Sequence, residues 1–231
     1  MDIEMRAWTY FAENIWAPPP KPRFDQGPWN GTYLPPFTRR TSRVHIEPVA
    51  PRTSALDYEA YMGSIEHLVQ NFWGGVGLGE ELPGPWWTGV GPWPTPSITP
   101  DMGNLDAMGC WTQFGRDEAY SFCALTHDRT KQVGCTYFWQ IDGNDPYEAA
   151  NRLWIIESEL ANDLDQHLLE ETLAWVEEDW AFNRIIHCVP RTYQRGLELA
   201  AAAGLKEVSR KAARLGGQER PDEVCFQWER A

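Results

Sequence analysis

Two carboxylates, Glu157 and Glu159, stand one residue apart in the stretch "LWIIESELANDLDQHLLEETLAWVEEDWAF", where an apolar run gives way to polar residues. A carboxylate buried at a strand end loses solvation of its charged form, so its pKa rises toward the range in which it can take a proton from an amine. General-base chemistry is the first candidate for this segment, with Glu118, at the start of another apolar run, as a further candidate. The alternative is structural: one of the pair faces solvent and the other meets a nearby arginine. His187 and Cys188 adjoin in "NRIIHCV", but neighbours on a strand point to opposite faces, so they cannot pair with each other and Cys188 reads as core. His45, His67, His127 and His167 lack H-x-x-x-H or Cys-His spacing, and no metal is expected. "GGVGLGEELPG" has neither the G-x-G-x-x-G register nor the lysine of a phosphate loop.

These groups must be held by recognisable elements. "RVHIEPV" alternates apolar and polar positions as a half-buried strand does. Ser54 or Asp57 can cap a helix running to Phe72, and a short helix is expected from Asp101 to Phe114. "EAYSFCALTHDRTKQVGCTYFWQID" reads as a hairpin turning at His127 to Thr130. "YEAANRLWIIES" is a strand, followed by the long helix of the opening stretch, with Leu169, Leu173, Val176 and Trp180 on its sheet-facing side. "NRIIHCV" is a strand, "PRTYQRGLELAAAAG" a helix with proline in its first turn and Gly204 past its end, and "LKEVSRK" and "EVCFQWER" are closing strands.

The 231 residues fit one domain, residues 41–231, preceded by a Pro- and aromatic-rich extension over residues 1–40 that is expected to wrap over the domain or over a second copy, as in a homodimer. A formal net charge of -13 opposes nucleic acid and anionic lipid as partners. The start of the sequence resembles no signal peptide, and no run is apolar enough to span a membrane, so a cytoplasmic protein is expected. Five scattered cysteines read as reduced thiols. The 13 tryptophans suit packing, pockets or interfaces alike. Trp73, Trp86, Trp87 and Trp93 lie in a Gly/Pro-rich insertion, residues 73–100, which suits a lid with an aromatic wall for a small-molecule substrate, or equally a loop folded over the domain or a dimer contact.

The element order resembles the GNAT acyltransferase superfamily over residues 41–231. The residues that carry the likeness are the "YSFCALTHDRTKQVGCTYFW" hairpin, "LWIIES" leading into a helix, and "LELAAAAGLKEV" before the last strands. The resemblance implies an α+β fold with a central, mostly antiparallel sheet, a splayed central strand and flanking helices. It also implies an acyl-CoA, such as acetyl-CoA, as acyl donor to a small amine. In that scheme the backbone of Ile155, Ile156 and Ser158 would pair with pantetheine, and the turn through Asn162, Asp163 and Leu164 would meet the pyrophosphate.

The residues of that turn depart from the family pattern of Gln or Arg, x, x, Gly, x, Gly or Ala. No glycine occurs from Ile155 through Trp180, and no Arg or Lys lies between Arg152 and Arg184. Asp163 can cap the helix, Gln166 can complete a capping box, and Asp165 adds negative charge to the first turn. Each carboxylate would oppose a pyrophosphate by about 1 kcal/mol at roughly 4 Å in water-like surroundings, and by more where solvent is excluded. The family's tyrosine acid falls at Ala200; Tyr193, two turns earlier, reads as packing. Two other readings stay open: a fold that has lost acetyl transfer and holds a different ligand in the same cleft, and a non-enzymatic dimeric module.

Overall fold

The computed structural model describes residues 35–72, 93–141, 147–209, 212–215, 218–220 and 223–230. Its frame is an eight-stranded sheet in the order β1-β2-β3-β4-β5-β6-β10-β7. The strands are β1 (Arg39–Arg40), β2 (His45–Pro48), β3 (Ala119–Leu125), β4 (Gln132–Gln140), β5 (Ala149–Ile155), β6 (Arg184–Pro190), β7 (Lys206–Val208) and β10 (Glu223–Glu229). β8 (Ala212–Leu215) and β9 (Gln218–Arg220) form a separate hairpin that the sequence pattern does not announce.

β3 and β4 pair from Ala119↔Trp139 to Leu125↔Gln132, and the turn between them closes through Thr126 N–H to the Lys131 carbonyl, as the hairpin pattern predicts. Pro48 is tolerated in β2 because strand amides alternate in direction. Val49 N–H reaches Ser121 on β3, so the missing N–H of Pro48 would have pointed outward. At Gly134 a Cβ would lie 2.3 Å from the Trp154 carbonyl oxygen, so glycine alone allows β4 and β5 their close approach there.

Helices cover both faces. They are α1 (Ser54–Met62), α2 (Ile65–Asn71), α3 (Pro100–Gly115), α4 (Leu164–Asp179) and α5 (Gln194–Ala202). Neighbouring residues of β4 point to opposite faces. Cys135 lies 3.6 Å from Asp57 on α1, and Thr136 lies 3.5 Å from Thr172 on α4. Between α4 and the sheet sits an aromatic core, with the ring of Trp175 4.9 Å from Phe122, and that of Trp180 4.8 Å from Phe138 and stacked on Phe182. The carbonyls of Val176 and Trp180 at the end of α4 accept from the Arg230 guanidinium, a cation where the helix dipole favours one.

Two expectations need correction. The helix expected from Ser54 to Phe72 is broken at Gly63 and Ser64, and the break is used, because Ser64 Oγ accepts from Glu157 N–H past the end of β5. Pro190 does not begin a helix; it is the last residue of β6, facing Glu223, and α5 starts at Gln194. Gly204 does close α5, at φ +79°, in a conformation open to glycine, with Leu205 N–H returning to the Ala200 carbonyl. At the other end, Phe37 packs edge-on against Trp111 and Phe114, and Arg39 ion-pairs with Glu171 and Glu178 on α4. Residues 35–40 therefore lie over the domain, while the rest of the extension falls outside the described residues.

Candidate active site

β5 and β6 run parallel and pair at only three positions, Ala149↔Ile185, Ala150↔Ile186 and Asn151↔His187. β6 stays paired with β10 through Pro190, and β5 stays paired with β4 through Ile155, so the sheet splits between two strands that are each held from outside. The opening has about 530 Å³ of empty space, part of it open to solvent. Leu153, Ile155, Leu169, Val189 and Leu199 give it apolar walls, and Tyr193, just before α5, and Gly196 of α5 line one side.

Backbone direction decides what the free edge of β5 offers. Ile156 N–H is bonded to the Val133 carbonyl on β4, so by alternation Leu153 and Ile155 turn their amide groups toward the opening. This corrects the expectation for Ile156 and Ser158. Ile156 faces away, and Ser158 belongs to a 3-10 turn, Glu157–Asn162, beyond the strand. The Ile155 carbonyl already accepts from His67, whose Nδ1 accepts from Asn71 Nδ2 at 2.9 Å. Burial pushes the His67 pKa down.

At the apex lies a second imidazole. Asn151 Nδ2 donates to the Tyr137 carbonyl, at 2.9 Å, and to Thr136 Oγ1, so its Oδ1 faces His187 Nδ1, at 2.8 Å. A carboxamide oxygen only accepts, so Nδ1 carries the hydrogen and Nε2 keeps its lone pair. Burial, and then the charge of Arg152, push the His187 pKa down to about 4. Arg152 sits on the opposite face of β5, buried and ion-paired with the buried Glu223. The sequence marked His187 only as a neighbour of Cys188; the signal it offered was a histidine and an asparagine on consecutive inner strands.

The remaining expected residues are dispersed. Glu157 is exposed just past the rim. Glu159 is held by Lys131 at 3.0 Å and Asn162 at 3.1 Å, and these bonds, the one from Lys131 first, hold its pKa below the usual carboxylate value, the reverse of a poised base. Glu118 pairs with Arg116 beside the first residue of β3, at the end of the sheet opposite Ile155. Trp93 is buried in the core against Tyr61, Phe72 and Trp154, behind the cleft rather than on its surface, so it does not wall a substrate site there. Trp73, Trp86 and Trp87, with most of the expected lid, lie outside the described residues.

The start of α4 also differs from the expected cap. Asp163 has a left-handed backbone, φ 53°, and its side chain caps no amide. Instead Asp163 Oδ1 and both oxygens of the buried Asp165 accept from Arg195 of α5, at 2.9, 2.6 and 2.8 Å. These bonds, led by that to Asp165, raise the Arg195 pKa. Arg43 donates to the carbonyls of Asn162 and Asp163. The free edge of β5 therefore offers backbone amide groups to the opening, whereas at the start of α4 the side chains of Asp163, Asp165 and Arg195 are bonded to one another. Among the described residues no cluster of His, Cys, Asp and Glu is arranged to hold a metal, and no helix is long and apolar enough to cross a membrane.

No protein-family model matches the sequence, and comparison with curated proteins gave no match. Solved structures do match. A ribosomal-protein-S5-alanine acetyltransferase from Vibrio fischeri aligns with TM-score 0.62 at 11% identity, covering 84% of this chain and 97% of the other. RimL, a ribosomal L7/L12 alpha-N-protein acetyltransferase in complex with coenzyme A, aligns with TM-score 0.61 at 11% identity over 82% and 96% of the two chains. The microcin C7 self-immunity acetyltransferase MccE, in complex with acetyl-CoA and AMP, gives TM-score 0.61 at 11% identity over 82% and 93%. With its split between β5 and β6 and its helices on both faces, the chain has the fold of the GNAT acetyltransferases.

Proposed function

We propose that the protein is an N-acyltransferase that moves an acyl group from a pantetheine thioester to a small amine. The observation that carries this reading is the opening that begins at Asn151 and His187, with the amide edge of Leu153 and Ile155 turned into it. Similar structures that hold coenzyme A or acetyl-CoA support it. A thioester supplies an acyl carbon open to attack by an amine. Leu153 and Ile155 would hold the arm of the donor by backbone hydrogen bonds, while Leu169, Val189 and Leu199 exclude water around it. As the new C–N bond forms and the C–S bond breaks, one amine proton must leave and the departing thiolate takes a proton from solvent to become the free thiol. His187 Nε2 is the acceptor we assign on geometry, because the bond to Asn151 leaves that nitrogen its lone pair beside the opening. With a pKa near 4 it is a weak base and takes the proton only after C–N bond formation has made the attacking nitrogen strongly acidic. Glu157, on the exposed rim, is the alternative acceptor.

Thiol release from S-acetylpantetheine and acetyl-CoA, measured over a panel of small primary amines with mass-spectrometric detection of the amide, tests the reading. Thiol and amide should appear together, and His187→Gln should lower the rate about 100-fold or more, whereas Glu157→Gln should leave it within about threefold. No thiol release from either donor with any amine would sink it. A second reading, a small ligand other than a thioester in the same cleft, draws on the filled helix terminus. A metabolite that raises Tm and is not displaced by pantetheine would favour it.

A further inference from the structure

Resting on the reading of the opening as a thioester cleft, we propose that its donor is an acyl-pantetheine recognised through the pantetheine arm alone, with no grip on a nucleotide diphosphate. A helix N-terminus attracts anions through unpaired amides and a partial positive charge. At α4 the Gln166 amide and the positive end of the helix already face the chain's own carboxylates. Asp165, 3% exposed, takes two hydrogen bonds from Arg195 and one from Gln166 N–H at 3.0 Å. Asp163 takes a third bond from the same guanidinium, which also donates to the Leu160 carbonyl at 3.2 Å.

A diphosphate there would meet the like charges of Asp163 and Asp165 at short range, while both guanidiniums of the turn are already engaged, Arg195 with those two carboxylates and Arg43 with the Asn162 and Asp163 carbonyls. The amides before the helix are engaged as well: Glu157 N–H with Ser64 Oγ, Glu159 N–H with the Ile156 carbonyl, and Asp163 N–H with the Leu160 carbonyl. Leu160, Ala161 and Asn162 carry side chains at the positions where glycine would let a phosphate approach the backbone. The arm has the opposite prospect. It meets an apolar cleft, the outward N–H and carbonyl of Leu153 and the outward N–H of Ile155, whose carbonyl is taken by His67, and these groups suit the amides of pantetheine.

Such an arm occurs free or joined through a single phosphate to a carrier protein, and the chemistry recognised is the same. Titration calorimetry on the full chain with pantetheine, 4'-phosphopantetheine, coenzyme A and a holo acyl carrier protein separates these cases. Pantetheine and coenzyme A should bind within about threefold of each other. Tighter binding of the carrier than of 4'-phosphopantetheine would assign the carrier-borne arm, and equal or weaker binding the free one. The double variant Asp163→Asn, Asp165→Asn releases Arg195 toward phosphate, and should tighten coenzyme A about tenfold while leaving pantetheine unchanged. Coenzyme A bound about thirtyfold or more tightly than pantetheine by the unaltered chain would overturn the proposal and spare the acyltransferase reading. Failure of all four to bind would overturn both.

Discussion

Asp57→Asn should stabilise the protein at neutral pH. Asp57 is on the sheet-facing side of α1, 3% exposed, where Oδ1 accepts from Gln132 Nε2 and, at 3.6 Å, from Cys135 Sγ. Burial is the larger influence and pushes its pKa from 3.8 up to about 6, against those two hydrogen bonds. The folded state thus holds the proton more tightly than the unfolded chain. Stability from this group is fully present below about pH 3.8, is lost as pH rises toward 6, and stays lost above it. The difference of about two units corresponds to about 3 kcal/mol, at about 1.4 kcal/mol per unit. Asparagine keeps the oxygen that accepts from Gln132 and adds an N–H for Gln132 Oε1, which has no partner among the described residues. Urea unfolding of both proteins across this pH range is the assay. The variant should be more stable by about 2 to 3 kcal/mol at pH 7.5, with the advantage shrinking as pH falls from 6 toward 4. A variant that is less stable at pH 7.5, by an amount independent of pH, would refute the reasoning.

Further outcomes follow from other buried groups. Arg152→Met takes the guanidinium from the buried Glu223 carboxylate and should cost about 3 to 5 kcal/mol by chemical denaturation, whereas replacing both with apolar residues should cost clearly less. His187 should show no ring titration by NMR between about pH 5.5 and 9, since its pKa is near 4. Because that pKa is depressed, its contribution is complete above 6.5 and fades as pH falls toward 4, reaching about 3 kcal/mol. Gly134→Ala places a methyl 2.3 Å from the Trp154 carbonyl and should destabilise the protein by about 2 kcal/mol or more, with amide shifts concentrated in β4 and β5.

What could be read along the sequence and what could not divide on physical grounds. The β3–β4 hairpin and α4 are written in local periodicity, and the apolar positions Leu169, Leu173 and Val176 are buried as that spacing requires. Pro190 misled because proline is equally at home in a first helical turn and at a strand end, and only the pairing with Glu223 decides between them. At the start of α4 the two aspartates were legible as obstacles to a diphosphate, but their partner was not. Arg195 lies 32 residues beyond Asp163, on a different helix, and the contact arises only when α4 and α5 share a face of the sheet. Local sequence suggested a cap; the three-dimensional pairing replaced it. Likewise Glu159 looked like a base until Lys131, from the hairpin turn, came within 3.0 Å. Among the tryptophans, Trp93 reads as part of a mobile lid by composition, yet packing against Tyr61 and Trp154 makes it core.

The central claim is that a pantetheine arm lies along the free edge of β5. Backbone amide NMR of the full chain, titrated with pantetheine, reads this directly. The account predicts shift changes and slowed hydrogen exchange at Leu153 and Ile155, with Ile156, bonded to Val133, unaffected. Saturating pantetheine that leaves Leu153 and Ile155 unchanged, or perturbs only residues remote from the opening, would contradict it.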